Sequence, residues 1–323
     1  MVSFAKPDRN RAGWHIIAAA LATAIAATGL YAAIVWMHPT PSAKVGQSAA
    51  PSPALTSLAL PIRAAFYYPW FPEAWRQQGM DPFTHYSPTL GYYGTTLSTA
   101  RQQIRAMQYA GIRAGIASWW GQNSATDGRV AMLLTLAAAT GFKWALYYEP
   151  EGQGDPSVSS IASDLAYISG RYATQPGYLR VLGRPVLFVY ADGNDGCGMA
   201  QRWKQANTLG FFMVLKVFAG YRTCAGQPDG WHQYAPAAAE DSQAGFSFAI
   251  SPGFWKANEN TPRLERDSSR WATSIQDMVA SHAPWQLITT FNEWGEGTAV
   301  EDATQWQSAT GFGLYLDALH GSA

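Results

Sequence analysis

From residue 62 onward the chain repeats one pattern: a short, unbroken apolar run, then a loop of Gly, Pro or polar residues, then a longer stretch with helical periodicity. The runs are Arg63–Trp70, Ala114–Trp120, Lys143–Pro150, Pro185–Tyr190, Phe211–Phe218, Gly230–Tyr234, Gly245–Ser251 and Gln286–Trp294. Helical patterns fall at Leu97–Tyr109, Arg129–Thr140, Val158–Tyr172, Met199–Leu209, Ser268–Ser281 and Ala303–Leu319. Runs that are continuous rather than alternating suit parallel strands covered on both faces. Eight of them with helices between predict a (β/α)8 TIM barrel over residues 62–323. The sixth unit is the weakest, because no helix shows between Tyr234 and Gly245. A doubly wound open sheet also fits the alternation, but no Gly-rich dinucleotide fingerprint follows the first run.

The amino end reads as a separate object. Trp14–Met37 contains no Asp, Glu, Lys or Arg, and its 24 positions are long enough to cross a hydrocarbon core of about 30 Å. Lys6, Arg9 and Arg11 precede it, and no basic residue follows until Lys44. That asymmetry places residues 1–13 in the cytoplasm and exports the rest. Two readings are open: an uncleaved transmembrane anchor, or a cleaved signal segment with Ala24-Ile25-Ala26 as a small-x-small site. Residues 38–61, with five prolines among Ser and Ala, read as a semi-extended linker. The sequence therefore predicts an extracytoplasmic barrel, held at the membrane by this helix or secreted.

The charge balance removes other classes. With 22 basic and 22 acidic residues there is no basic surface for nucleic acid and no polybasic patch for a membrane. HExxH, GxSxG, GxxxxGK[ST] and GxGxxG are all missing. Cys197 and Cys224 are the sole cysteines; without a matching His cluster they make no zinc site, and in an exported domain they either pair or stay as two thiols. Asp192 and Asp195 in the DGNDG loop offer too few carboxylates for a calcium loop and read better as a turn. No metal and no cofactor is expected.

In a barrel of this type the chemistry sits at the carboxyl ends of the strands. Those ends carry Tyr67, Tyr68 and Trp70; Trp119 and Trp120; Glu149; Tyr190; His232 and Tyr234; and Asn292, Glu293, Trp294 and Glu296. Rings stack on sugar faces and paired carboxylates cleave between sugars, so an oligo- or polysaccharide substrate is the expectation. Aromatic side chains also fill large cores, and composition alone leaves that choice open. Glu293 and Glu296 would face opposite ways in a continuing strand. They can share a site only if the strand stops, and Gly295 and Gly297 permit the turn. Two nearby acids split their proton affinities into one neutral acid and one carboxylate.

At these residues the chain resembles glycoside hydrolase family 99, the endo-α-mannosidases and endo-α-1,2-mannanases. The resemblance rests on AFYYPWF (65–71), ASWWG (117–121), YYEP (147–150), GRPVLFVY (183–190), DGWHQY (229–234), SPGF (251–254) and ITTFNEWGEGTAVE (288–301). It implies a metal-independent, retaining (β/α)8 enzyme acting through a 1,2-anhydro sugar. In it Glu293 would be the base on the substrate 2-hydroxyl, Glu296 the acid and then the base for water, and Glu149 a sugar-binding residue. The family pattern has His where Gly295 stands, and the segment before YYEP lacks the family's usual His. The other readings of the same residues are a carbohydrate-binding barrel without turnover and a glycosidase with an ordinary carboxylate nucleophile.

Overall fold

The structure, a computed structural model, describes residues 55–322. Eight parallel strands follow one another around the core: β1 (Ile62–Tyr67), β2 (Ala114–Trp119), β3 (Lys143–Tyr148), β5 (Arg184–Val189), β6 (Phe212–Lys216), β7 (Gly230–His232), β9 (Ser247–Ile250) and β10 (Trp285–Ile288). Two short strands join antiparallel: β4 (Arg180–Val181) on β5, and β8 (Glu240–Gln243) on β9. The first and last parallel strands pair, Ile62 with Trp285 through Ala65 with Ile288. The hydrogen-bonded order is β7-β6-β5-β3-β2-β1-β10-β9-β8, so the ring is nearly closed. β7 and β9 lie side by side at the seam but share no ladder.

Both faces of the strands are buried, which is why the runs do not alternate. The inner face carries Ala64, Phe66, Ile116, Ala145, Tyr147, Phe188, Val214 and Leu287. The outer face carries Tyr67, Trp119, Trp144, Leu146, Tyr148 and Trp231. Against it pack α1 (Leu97–Tyr109), α2 (Ala125–Thr140), α3 (Val158–Arg171), α4 (Cys197–Ala206), α5 (Ser268–Ala280) and α6 (Leu314–His320). Side chains at Thr96, Ser124, Ser157 and Asp267 cap four of these helices by accepting from backbone N–H groups. Cys197, at the start of α4, is joined by a disulfide to Cys224 in the loop after β6, with 5.2 Å between their Cα atoms.

The expectation of a regular (β/α)8 barrel behind a membrane or signal helix is corrected on two counts. The barrel is distorted: among the described residues only one 3-10 turn, Tyr221–Thr223, links β6 to β7, and a β8 hairpin replaces the helix before β9. Phe218 and Tyr221 pack on Trp231 in place of a crossover helix, and the antiparallel β8 makes the sheet mixed. Second, among the described residues no helix is long and apolar enough to cross a membrane. Trp14–Met37, to which the span was assigned, lies outside the described residues, as does most of the 38–61 linker. The membrane partner and anchored location rested on that helix and are withdrawn.

Candidate active site

β10 ends at Ile288, and the chain then folds back on itself. Thr290 N donates to Thr298 O at 3.0 Å, Val300 N to Thr290 O at 3.0 Å, and Thr298 N to Glu293 O at 3.2 Å. Glu293 therefore sits in a turn, its N–H bonded to Thr290 Oγ1 at 2.8 Å. Gly297 closes that turn at φ 66°, a region costly for any residue with a Cβ. At Gly295 the need is space: a Cβ there would lie 2.9 Å from the Phe83 ring and 3.1 Å from Glu293 Oε1. The turn is stitched to the loop after β9, where Trp255 N donates to Glu296 O and Ala257 N to Gly295 O, each at 2.9 Å.

Three glutamates are brought together by this arrangement. Glu293 is 5% exposed, Glu296 8% and Glu149 7%, which is enough to meet a ligand and little enough to lose most of their hydration. The Glu296 N–H donates to Glu293 Oε1 at 3.2 Å, and Tyr234 OH donates to Glu296 Oε2 at 3.1 Å. Burial pushes Glu293 well above the ordinary carboxylate range, and the Glu296 charge adds to the rise. Burial also raises Glu296, opposed by Lys256 and by the Tyr234 hydrogen bond. Each carboxylate thus makes the other harder to ionise. Burial raises Glu149 to about 8, the Ser118 hydrogen bond opposing and the Glu296 charge reinforcing. Trp120 Nε1 donates to Ser118 Oγ at 3.0 Å, and Ser118 Oγ to Glu149 Oε1 at 2.8 Å, so two residues in series fix that carboxyl.

Tyr68 and Tyr234 lie side by side at this group, close enough to interact with each other, and each feels the charges of Glu293 and Glu296. Trp70 lies against Tyr68, ring centroids 4.5 Å apart, and Tyr190 carries Lys216 Nζ 4.9 Å from its ring centre.

The remaining sequence-chosen contacts are elsewhere. Tyr67 points outward, its OH donating to Gln103 at 2.6 Å, and Trp119 points outward to Asp127 at 2.7 Å. Each belongs to an adjacent pair of rings, and in a strand only one of two neighbours can face the cleft. Trp294 is fully buried behind the turn, stacked on Trp306 with Nε1 3.1 Å from Tyr93 OH. His232 lies fully buried inside the barrel, 3.3 Å from Tyr147 OH, and burial lowers it to about 3, so it stays neutral. Asn292 is also fully buried: it accepts from Tyr68 N at 2.7 Å and donates to Tyr68 O at 3.1 Å, fixing β1 to the turn.

Residues that sequence reasoning passed over are Ser118, Phe83, Lys216 and Lys256. A lysine inside the run FFMVLKVF was the available signal for Lys216; the others carry none. The carboxylates Glu151, Asp155 and Asp195 stand within 4.8 Å of one another on the loops after β3 and β5. Arg202 pairs with all three, so the cluster already holds its cation. Asp195 also accepts from Asp192 N at 2.7 Å, and Asp192 from Asn194 N at 2.7 Å: the DGNDG loop is a turn.

Residues 63–209 match the family model for glycosyl hydrolase family 99. A mouse (Mus musculus) protein, glycoprotein endo-alpha-1,2-mannosidase, is 22% identical over 296 residues, covering 76% of this chain; the chain spans 62% of that relative's length. The GH99 endo-alpha-mannosidase of Bacteroides thetaiotaomicron, solved in complex with bis-tris propane, superposes with a TM-score of 0.66 at 20% identity, covering 80% of this chain and 95% of that one. A second structure of that enzyme gives 0.63 at 20% identity, covering 80% and 96%. At that identity the likeness is one of fold.

Proposed function

We propose that this chain, which carries a glycosyl hydrolase family 99-like domain, is a retaining, endo-acting glycosidase that uses the 2-hydroxyl of its own substrate as nucleophile, with an α-mannoside as the first substrate class to test. The observation that carries the reading is the convergence of Glu293, Glu296 and Glu149 at one end of the barrel, with Glu293 and Glu296 held in one turn by the Glu296 N–H.

In the first step Glu293, ionised, takes the proton of the 2-hydroxyl. O2 attacks C1, the C1–O bond breaks, and the departing oxygen takes the proton of neutral Glu296. The sugar is left as a 1,2-anhydride. Glu296, now charged, takes a proton from water as the water attacks C1, and Glu293 returns its proton to O2. Two inversions at C1 give net retention. This sequence starts with the proton on Glu296, whereas burial raises Glu293 the more and Lys256 favours charge on Glu296, so the bound substrate has to move the proton across. N–H groups of Gly295 and Glu296 favour charge on Glu293. Tyr234 remains to steady Glu296 once its proton has gone.

A general acid matters less when the leaving group is already good. Glu296→Gln should lose about 10²–10⁴-fold on a glycan and recover part of that on an aryl or fluoride glycoside. Glu293→Gln should be inactive on both, and a 2-deoxy substrate should reproduce that loss with wild-type protein. A 2-fluoro sugar adduct on Glu293, read by intact-protein mass, would sink the 2-hydroxyl mechanism. Wild-type rates in both variants would sink the site.

A further inference from the structure

The loop after β9 sets a cation beside the acid. Trp255 N and Ala257 N both donate to the catalytic turn, so the intervening Lys256 is held from either side. His85 Nε2 lies 2.9 Å from Lys256 O, and the His85 ring stacks on Trp255 with 3.8 Å between centroids. The Lys256 side chain is 9% exposed, passes over the Phe254 ring and ends 4.0 Å from Glu296 Oε1. Its ammonium makes that one ion pair and donates no hydrogen bond to any other described residue.

This placement is at odds with a reaction on a neutral sugar. An acid must be uncharged when it delivers its proton, and neutral Glu296 leaves Lys256 without a counter-charge. The neighbouring carboxylate of Glu259 is taken by Arg263, whose Nε and Nη2 both donate to it. Glu293 is the base of the pair and is committed to the 2-hydroxyl. Lys216, the other buried lysine of the cleft, is already engaged: its Nζ donates to Ala191 O at 2.8 Å and lies over Tyr190. Lys256 Nζ still reaches water, but in a pocket this closed a partner of opposite charge would hold it better than water does. A negative oxygen group on the substrate would supply it. By repulsion the same group would hold the proton on Glu296 until the bond breaks.

We propose that Lys256 seats an anionic substituent, a uronic carboxylate or a phosphate ester, on the sugar that leaves from the Glu296 side, so that the cleft is built for an acidic glycan. The inference rests on the reading of Glu296 as the acid.

Binding tests it without turnover. Glu296→Gln protein mimics the neutral acid, and calorimetry would compare three probes: α-1,2-mannobiose, the same disaccharide with a 6-phosphate on its reducing sugar, and a mannosyl-glucuronic acid disaccharide. At least one charged probe should bind about tenfold or more tightly than the neutral one, as for a charge-assisted contact, with the advantage shrinking as salt rises. Which charged probe wins separates phosphate from carboxylate. Adding Lys256→Met should abolish the preference and Lys256→Arg should keep part of it. Equal binding of all three probes, binding of none, or a preference that survives Lys256→Met would overturn the proposal. The first two outcomes need no second variant to fold. Failure of the glycosidase reading shows separately, as undiminished glycan hydrolysis by Glu296→Gln.

Discussion

Glu149 is a carboxyl whose burial costs the fold something at neutral pH. Its proton affinity rises from the ordinary 4.5 to about 8 on folding. Between those values the folded state binds more protons than the unfolded one, so stability falls as pH rises. Below 4.5 nothing is lost; by pH 8 the loss reaches about 5 kcal/mol on the linkage relation. Glu149→Gln keeps an acceptor for Ser118 and cannot ionise. Thermal melts across pH should show the variant matching wild type near pH 4 and exceeding it increasingly up to pH 8, while sugar binding weakens. A constant offset at every pH would refute the assignment. Gly295 offers a second test. Gly295→Ala drives a Cβ into Phe83 and Glu293 Oε1. It should cut kcat sharply, and Phe83→Ala in the same chain should restore part of it, a coupling measured by a double-mutant cycle. The sequence showed that His is replaced at 295. It could not show that a phenyl ring from position 83 takes up the room, since the two residues meet only because β1 pairs with β10 across the length of the chain.

The turn that carries Glu293 and Glu296 owes its shape to elements behind the cleft. Arg266, just ahead of α5, donates from Nη2 to Gly297 O at 2.8 Å and to Ala299 O at 2.7 Å. Its guanidinium lies 3.9 Å from the Trp306 ring centre, 4.8 Å from Tyr315 and 4.9 Å from Tyr86. Lysine keeps the charge but loses the planar fork and the stacking. Arg266→Lys should therefore lower kcat about 10- to 100-fold with little change in KM, since a loosened turn misplaces both acids. An unchanged kcat would show that the turn holds its own form. Behind it, Glu301 accepts from Tyr93 OH at 2.6 Å, Gln103 Nε2 at 2.8 Å and Trp294 Nε1 at 3.3 Å. Glu301→Ala strands two buried donors, Tyr93 OH and Gln103 Nε2, while Trp294 Nε1 keeps Tyr93 OH, and should cost about 3 kcal/mol in urea denaturation. The elements were readable where local chemistry closes them: α1 begins after its Thr96 cap, and β2 and β3 end at Trp119 and Tyr148 among rings and a proline. The end of β10 was not, because Thr289, Thr290 and Phe291 continue its apolar run while the backbone has already left the ladder.

Across the molecule the weak place is the seam. β7 has a laddered neighbour on one side and only side-chain contact on the other. Amides of Gly230–His232 should exchange with solvent faster than those of β1, β2 and β3, each bonded on both edges; equal protection would mean that the ring is latched by other means. The disulfide crosses the rim on the same half, closing a 27-residue separation between Cys197 and Cys224. Removing it by Cys224→Ser should cost about 3–4 kcal/mol in chain entropy. The alternation of runs and helices showed a barrel-like ring because each unit is local. The missing helix between Tyr234 and Gly245 marked the weak unit, but the absence of a ladder between β7 and β9 did not show, because it depends on how the two backbones meet.

Asn292 clamps Tyr68 across 224 residues, and β1 finds its second neighbour only in β10. On the ribosome, β1 emerges first and waits with one edge bare while the rest of the barrel is made. Neither the clamp nor the acid pair exists in any nascent chain that stops short of residue 296. The cleft thus receives Tyr68 early and its two paired carboxylates late, and a half-made copy holds one wall of it without the other.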